Sequence, residues 1–167
     1  MSVRSASPGG GRGSSRGERD SPRPSSTRWV RMRRRLDADP ERLYRAWSQP
    51  DDLARWFPHR VEGSLAVGTR TVLVWPAQRA WWDVVLAEPS SRFVFTWPWP
   101  PDESVVTTVT VSIEPRGMGS RIDLEDGPFD LDDPPQLDAY AEAREVWGEA
   151  LAMLRAFLDF SVDVRWR

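Results

Sequence analysis

The chain has 167 residues, of which 40% are hydrophobic and 29% charged, and its formal net charge is −2. This length and composition predict one globular domain with an appended segment. The sequence contains no Cys and a single His, His59, which excludes a disulfide framework, a thiol nucleophile, Cys-ligated zinc and a cluster of His ligands for a metal. We expect neither a metal site nor another cofactor.

The first 28 residues differ in composition from the rest of the chain. They contain six Arg, eight Ser, five Gly and three Pro, and Val3 is their one large aliphatic residue besides Met1. Such a segment cannot bury enough apolar surface to offset the entropy of ordering it. We therefore predict a disordered tail over residues 1–28 and a folded domain over residues 29–167.

The tail also bears on partners and location. Its arginines could follow a phosphate backbone, but it lacks aromatic side chains for base stacking, so specific binding to nucleic acid is not expected. No apolar run follows the early arginines as in a secretory signal, and no stretch is long enough for a membrane span. We expect a cytoplasmic protein without a membrane span.

The domain opens with a strand and two short helices. The segment WVRMRRRL alternates apolar and charged residues, which is typical of a half-buried strand. Asp39 and Pro40 then provide the N-cap and the first position of a helix, and Pro50 opens a second, shorter helix. The inward side chains of this second helix are predicted to be Leu53, Trp56 and Phe57.

Strands fill the middle of the chain, and a long helix ends it. The strands are predicted over residues 69–75, 80–87, 92–97, 104–114 and 120–126, and their short Gly- and Pro-containing connections predict an antiparallel meander. From about Leu137 a helical stripe of large residues continues for about 26 residues, or roughly 39 Å. It consists of Leu137, Tyr140, Arg144, Trp147, Leu151, Leu154 and Leu158.

This order of elements resembles the helix-grip fold of the SRPBCC (START-like) superfamily, an α+β fold. In it a curved antiparallel β-sheet wraps around a long C-terminal helix, and two short helices follow the first strand. Four segments are similar to those of bacterial proteins related to the activator of heat-shock-protein-90 ATPase. They are DADPERLYRAWSQPDDLARWF, RFVFTW, GMGSRIDLE and VWGEALAMLRAFL. The resemblance covers about residues 29 to 162 and implies a fold and a cavity, not a reaction.

The resemblance implies a cavity between the sheet and the C-terminal helix, and the aromatic residues of this chain would line it. Such walls favour a small hydrophobic or aromatic molecule. The alternative is that the rings fill the core. The candidate lining residues are Leu73, Trp75, Phe93, Phe95, Trp97, Val109, Tyr140, Arg144, Trp147 and Leu151.

Arg144 is the one charge in the stripe, and a buried guanidinium needs a partner. A salt bridge to Asp83 or Asp123, an anionic group of a ligand, and simple exposure are the alternatives. Trp81 and Trp82 are adjacent in a strand, so one faces the core and the other can contribute to a partner surface. The acidic segment from Asp123 to Asp138 lacks the spacing of a calcium loop, so no metal is expected there.

Binding of a small hydrophobic or aromatic ligand without evident catalysis is the first functional hypothesis. The second is an interaction module that contacts a chaperone, another protein partner or a second copy of the chain. The third is an enzyme of the cyclase or hydratase kind, which needs His59, Asp83 or Tyr140 in the cavity as an acid or base.

Overall fold

A computed structural model describes residues 26–101 and 103–165. Most of the predicted tail, residues 1–25, lies outside the described residues, and the first strand begins at Thr27, inside the segment predicted as tail. The elements in chain order are β1 Thr27–Leu36, α1 Pro40–Ser48, α2 Pro50–Leu53, β2 Arg60–Glu62, β3 Arg70–Val74, β4 Arg79–Glu88, β5 Arg92–Trp99, β6 Val105–Arg116, β7 Gly119–Asp130 and α3 Pro134–Phe160.

All the strands form one antiparallel sheet in the order β1-β7-β6-β5-β4-β3-β2. Strands β2 to β7 follow one another as a meander, and β1 pairs with β7. Helix α3 packs against β1, β7 and β6, with its buried face toward the inner side of the sheet. The predicted helix-grip fold is therefore confirmed.

Alternation along the strands decides which side chains face α3. In β5, the inward residues Phe93, Phe95 and Trp97 lie opposite Val111, Val109 and Thr107 of β6 in the register of the pair. All six are buried. The other face of β6 presents Thr108 to solvent and Thr110 and Ser112 as half-buried side chains. The inner face of the sheet is thus dominated by large apolar side chains.

The sheet differs from its prediction in two places. Strand β2 was not predicted, because three residues are too few to show a periodic pattern. Strand β7 continues to Asp130, beyond the predicted end at residue 126. Gly127 and Pro128 lie inside this strand, and Phe129 beyond them is fully buried.

Helix α1 begins where its capping residues predict. Asp39 is the N-cap, and its Oδ1 accepts a hydrogen bond from the Arg42 backbone N–H at 2.8 Å. Pro50 opens α2 as predicted, but the helix ends at Leu53, so the buried residues Trp56 and Phe57 lie beyond it. The inward residues of this region are held by indole hydrogen bonds, since Trp56 Nε1 donates to the Ala46 carbonyl at 2.8 Å and Trp75 Nε1 donates to the Phe57 carbonyl at 3.0 Å.

The N-terminal half of α3 faces the sheet with different residues from those predicted. Leu137 and Arg144 are exposed, and Tyr140 is half-buried. Small side chains replace them on the buried face, because they allow the helix to lie close to the sheet. The buried residues of α3 are Ala139, Ala143, Trp147, Ala150, Leu151, Leu154 and Leu158. The prediction is therefore right from Trp147 onward, right in part for Tyr140, which packs against the core, and wrong for Leu137 and Arg144.

Within the described residues, none of the helices has both the length and the apolar character that crossing a membrane requires.

Candidate ligand-binding site

The centre of the space between the sheet and α3 is occupied by aromatic rings. Trp47, Trp82, Phe95 and Trp147 are all fully buried there. The rings of Trp82 and Phe95 are stacked with centroids 3.8 Å apart, and Trp47 lies 6.2 to 6.4 Å from Trp82, Phe95 and Trp147. The distances from Trp47 are within the range of favourable aromatic pairs. The middle of the predicted cavity is therefore filled.

A pocket of about 570 Å³ opens at one end of this aromatic core. It lies between α3, the connection from β3 to β4 and the end of β5. Four rings, those of Phe57, Trp75, Trp97 and Trp99, line it, and Pro98, Pro100 and Pro101 continue the same wall. The volume is in the range of small-molecule sites.

The predicted cavity residues are divided between this pocket and the core. Trp75 and Trp97 line the pocket. Tyr140 is half-buried against Phe129, with ring centroids 5.6 Å apart, and does not line the pocket. Six of the predicted residues are buried in the core behind the pocket, namely Leu73, Phe93, Phe95, Val109, Trp147 and Leu151.

Arg144 does not face the interior, so the prediction that it lies on the inward stripe is wrong. It is exposed, and its guanidinium lies 6.0 Å from the centre of the Tyr140 ring. Neither predicted salt bridge forms, because Asp83 pairs with Arg70 at 2.7 Å and Asp123 pairs with Arg33 and Arg121. Arg144 lies outside the pocket, and its neighbour Ala143 occupies the buried face of α3.

Residues not predicted from the sequence complete the pocket. Helix α3 contributes Glu142, Val146, Glu149 and Met153, which lie three or four positions apart on one side of the helix. This helical spacing is visible in the sequence, but the charged residues Glu142 and Glu149 break the apolar pattern that would have drawn attention to it. The proline-rich end of β5 read as a connection between strands and gave no signal for a pocket wall.

Two of the pocket's cations are held by partners of their own. Arg165 donates to the carbonyl oxygens of Ala54 and Pro58, and it pairs with Asp163 at 2.6 Å. Arg79 pairs with Glu62 at 3.1 Å. These contacts fix the C-terminal segment and the edge of the sheet at the pocket, and they give each of the two arginines an acidic partner.

One of the three candidate acid or base residues lies at the pocket. His59 lines it, and its backbone N–H donates to the Val74 carbonyl at 2.9 Å. Asp83 does not line it and is paired with Arg70 on β3. Trp82 is buried, whereas the ring of Trp81 lies under the Arg70 guanidinium at 4.0 Å and its Nε1 donates to Glu103 at 2.9 Å. The outward ring predicted as a partner surface is thus partly covered.

Asp126 is a fully buried carboxyl group behind the pocket. Its Oδ2 accepts a hydrogen bond from Trp147 Nε1 at 2.8 Å. Burial raises the pKa of Asp126 to about 6, although hydrogen bonds from Thr107, Trp147 and Gly127 act to lower that pKa. Thr107 Oγ1 in turn accepts from Trp99 Nε1 at 2.9 Å, which connects this carboxyl group to a ring of the pocket wall.

Two other hollows are lined mainly by charged side chains. One, of about 360 Å³, lies beside α1, where Arg45 pairs with Asp52 at 3.5 Å. The other, of about 440 Å³, lies where Arg31 and Arg33 of β1 pair with acidic residues of β7. Within residues 26–101 and 103–165, no group of three His, Asp or Glu side chains is arranged to hold a metal ion.

A curved antiparallel sheet around a long C-terminal helix, with an aromatic pocket at one end, defines a protein of the helix-grip class. The family model described as "Activator of Hsp90 ATPase homolog 1-like protein" matches residues 37–159. Because the match covers most of the sequence, the chain belongs to this family, as its residues predicted.

Solved structures have the same fold. Protein MLL2253 from Mesorhizobium loti is 26% identical, with a TM-score of 0.70 over 81% of this chain and 99% of that one. The Aha1 dimer from Colwellia psychrerythraea is 17% identical, with a TM-score of 0.69 over 79% and 96% of the two chains. CalU16 from Micromonospora echinospora is 23% identical, with a TM-score of 0.65 over 79% and 76%. No curated protein matches the sequence.

Proposed function

We propose that the protein binds a small hydrophobic or aromatic molecule in the pocket at the end of the aromatic core. The observation that carries this proposal is the pocket itself, about 570 Å³ in volume and lined by four aromatic rings. Aromatic rings fill the centre of the core, but a space remains beside Trp75, Trp97 and Trp99. The apolar surface around this space is one that a ligand can cover.

The first test fills the pocket. Val146 lies on the pocket side of α3, so Val146→Trp should occupy the space and lower the affinity for a neutral probe, naphthylmethanol, at least about tenfold. Titration followed by tryptophan fluorescence measures this affinity. Val67→Trp adds the same ring at an exposed turn and should leave it unchanged.

Met153→Trp is a second filling variant at the same pocket, in case the first one unfolds. Circular dichroism shows whether each variant keeps its helices and strands. Folded filling variants that bind the probe as tightly as the wild type would refute the proposed site, as would a wild-type protein that does not bind it.

A role in protein interaction is the second candidate, favoured by one comparison. The Aha1 structure from Colwellia psychrerythraea is a dimer. A second copy of this chain is therefore the first partner to test, by light scattering coupled to size-exclusion chromatography. A catalytic role of the cyclase or hydratase kind depends on His59, since Asp83 and Tyr140 do not line the pocket.

A further inference from the structure

The side of α3 that lines the pocket alternates acidic and apolar residues. Glu142, Val146, Glu149 and Met153 line it in this order along the helix. The two glutamates are seven residues apart, which places them two turns, or about 10.5 Å, apart along the helix axis. Both side chains are exposed, so their carboxylates lie in the part of the pocket that solvent reaches.

These carboxylates are not neutralised by the cations near them. Within the described chain, no ion pair joins Glu142 or Glu149 to an arginine. The two arginines of the pocket have other partners, since Arg79 pairs with Glu62 and Arg165 with Asp163. Glu103 also lines the pocket, but its Oε2 accepts a hydrogen bond from Nε1 of the outward Trp81 ring at 2.9 Å. The charge that α3 presents to the pocket is therefore negative.

The opposite wall is aromatic and apolar. Trp75, Trp97 and Trp99 line it and offer apolar surface for the body of a ligand. The inner part of the pocket is apolar, so a fully hydrated ion would lose more solvation than it gains there. The suitable ligand has an apolar body for the rings and a positive charge for the helix.

We propose that the pocket takes a small hydrophobic cation, an aromatic or aliphatic molecule that carries a protonated amine. This inference rests on the proposed function and adds the charge class of the ligand. The amine lies toward Glu142 and Glu149, and the apolar body lies against Trp75 and Trp97. The charge of this ligand is opposite to that of the anionic ligand that an inward Arg144 would have favoured. Arg144 lies outside the pocket, so that alternative has no support.

The test compares three probes that share one ring system and differ in charge. They are naphthylmethylammonium, neutral naphthylmethanol and anionic naphthylacetate, each titrated into the full chain. The ammonium probe should bind about fivefold more tightly than the alcohol, and the anion more weakly than either. The preference for the ammonium probe should shrink in about 1 M salt, because salt screens exposed charges.

The double variant Glu142→Gln with Glu149→Gln should reduce the preference for the ammonium probe to less than about twofold. Its affinity for the alcohol should stay unchanged, because the apolar walls are intact. Glu41→Gln is the control, since Glu41 is exposed on α1 and lines a different hollow. It should leave the preference of the wild type in place.

The outcomes separate this inference from the proposed function. If no probe binds the wild type, the ligand site itself is refuted. If the alcohol binds and the ammonium probe binds no better, or the anion binds best, the site stands and the charge class is wrong. A preference for the ammonium probe that survives the double variant would also overturn the assignment to Glu142 and Glu149.

Discussion

Replacement of Trp147 by Ala is expected to lower the free energy of unfolding by about 4 kcal/mol. The Trp147 ring is fully buried, and its centroid lies 5.3 Å from Trp97, 5.9 Å from Phe57 and 6.2 Å from Phe95. Truncation would leave a void at the centre of the aromatic core and would remove the indole donor from Asp126. Urea denaturation at neutral pH measures the change.

Two further variants identify the source of this effect. Trp147→Phe keeps a ring but removes the hydrogen bond to Asp126, so it should cost about 1–3 kcal/mol. Phe160→Ala, at the end of the same helix, removes a side chain that is 63% exposed and should change the stability by less than about 0.5 kcal/mol. If Trp147→Ala were no more costly than Phe160→Ala, α3 would not hold the core as described.

The stability of the Asp126→Asn variant relative to the wild type is expected to rise by about 2 kcal/mol between pH 4 and pH 8. Burial raises the pKa of Asp126 from 3.8 to about 6, so the folded protein holds this proton more tightly than the unfolded chain does. The contribution of Asp126 to stability therefore falls as pH rises from about 4 to about 6. Asn is neutral at every pH and can still accept the hydrogen bond from Trp147.

The difference in unfolding free energy between the Asp126→Asn variant and the wild type, measured across this pH range, tests the prediction. Asp132→Asn removes an exposed carboxyl group and should show no comparable dependence on pH. A relative stability of the variant that does not rise between pH 4 and pH 8 would mean that hydrogen bonds to the carboxylate outweigh its desolvation. In that case the pKa of Asp126 would not be raised.

Much of the fold could be predicted, because local patterns and the tertiary structure agree. The alternation in RFVFTW places Phe93, Phe95 and Trp97 on one face, and all three are buried toward α3. Asp39 and Pro40 start α1 at the predicted residue. The continuation of β7 past residue 126 was missed, and its pairing with β1 resumes at Phe129 after a register shift at Gly127 and Pro128.

The errors in α3 have one physical cause. The predicted stripe followed large side chains, whereas Ala139 and Ala143 face the sheet because the helix lies too close to it for larger ones. This shift moved Arg144 out to solvent and removed the expected buried charge. The distance between helix and sheet depends on residues of both, so one periodic pattern could not specify it.

The pocket depends still more on tertiary structure. Its walls come from Phe57, the connection after Trp75, the prolines that end β5, and one side of α3, which are far apart in the sequence. Trp75 and Trp97 could be foreseen as lining residues because they are large and lie on predicted strands. The acidic residues Glu142 and Glu149 could not be foreseen as lining residues, since exposed charges on a helix usually contact only solvent.

Native mass spectrometry of the freshly purified full chain tests the central claim most directly. A pocket that binds a small hydrophobic molecule predicts a species heavier than the bare chain that loses one small molecule on gentle activation. The folded Val146→Trp variant, in which the pocket is filled, should lack this species, and Val67→Trp should retain it. A retained molecule that is equally abundant in the Val146→Trp variant would contradict the assignment of the site to this pocket.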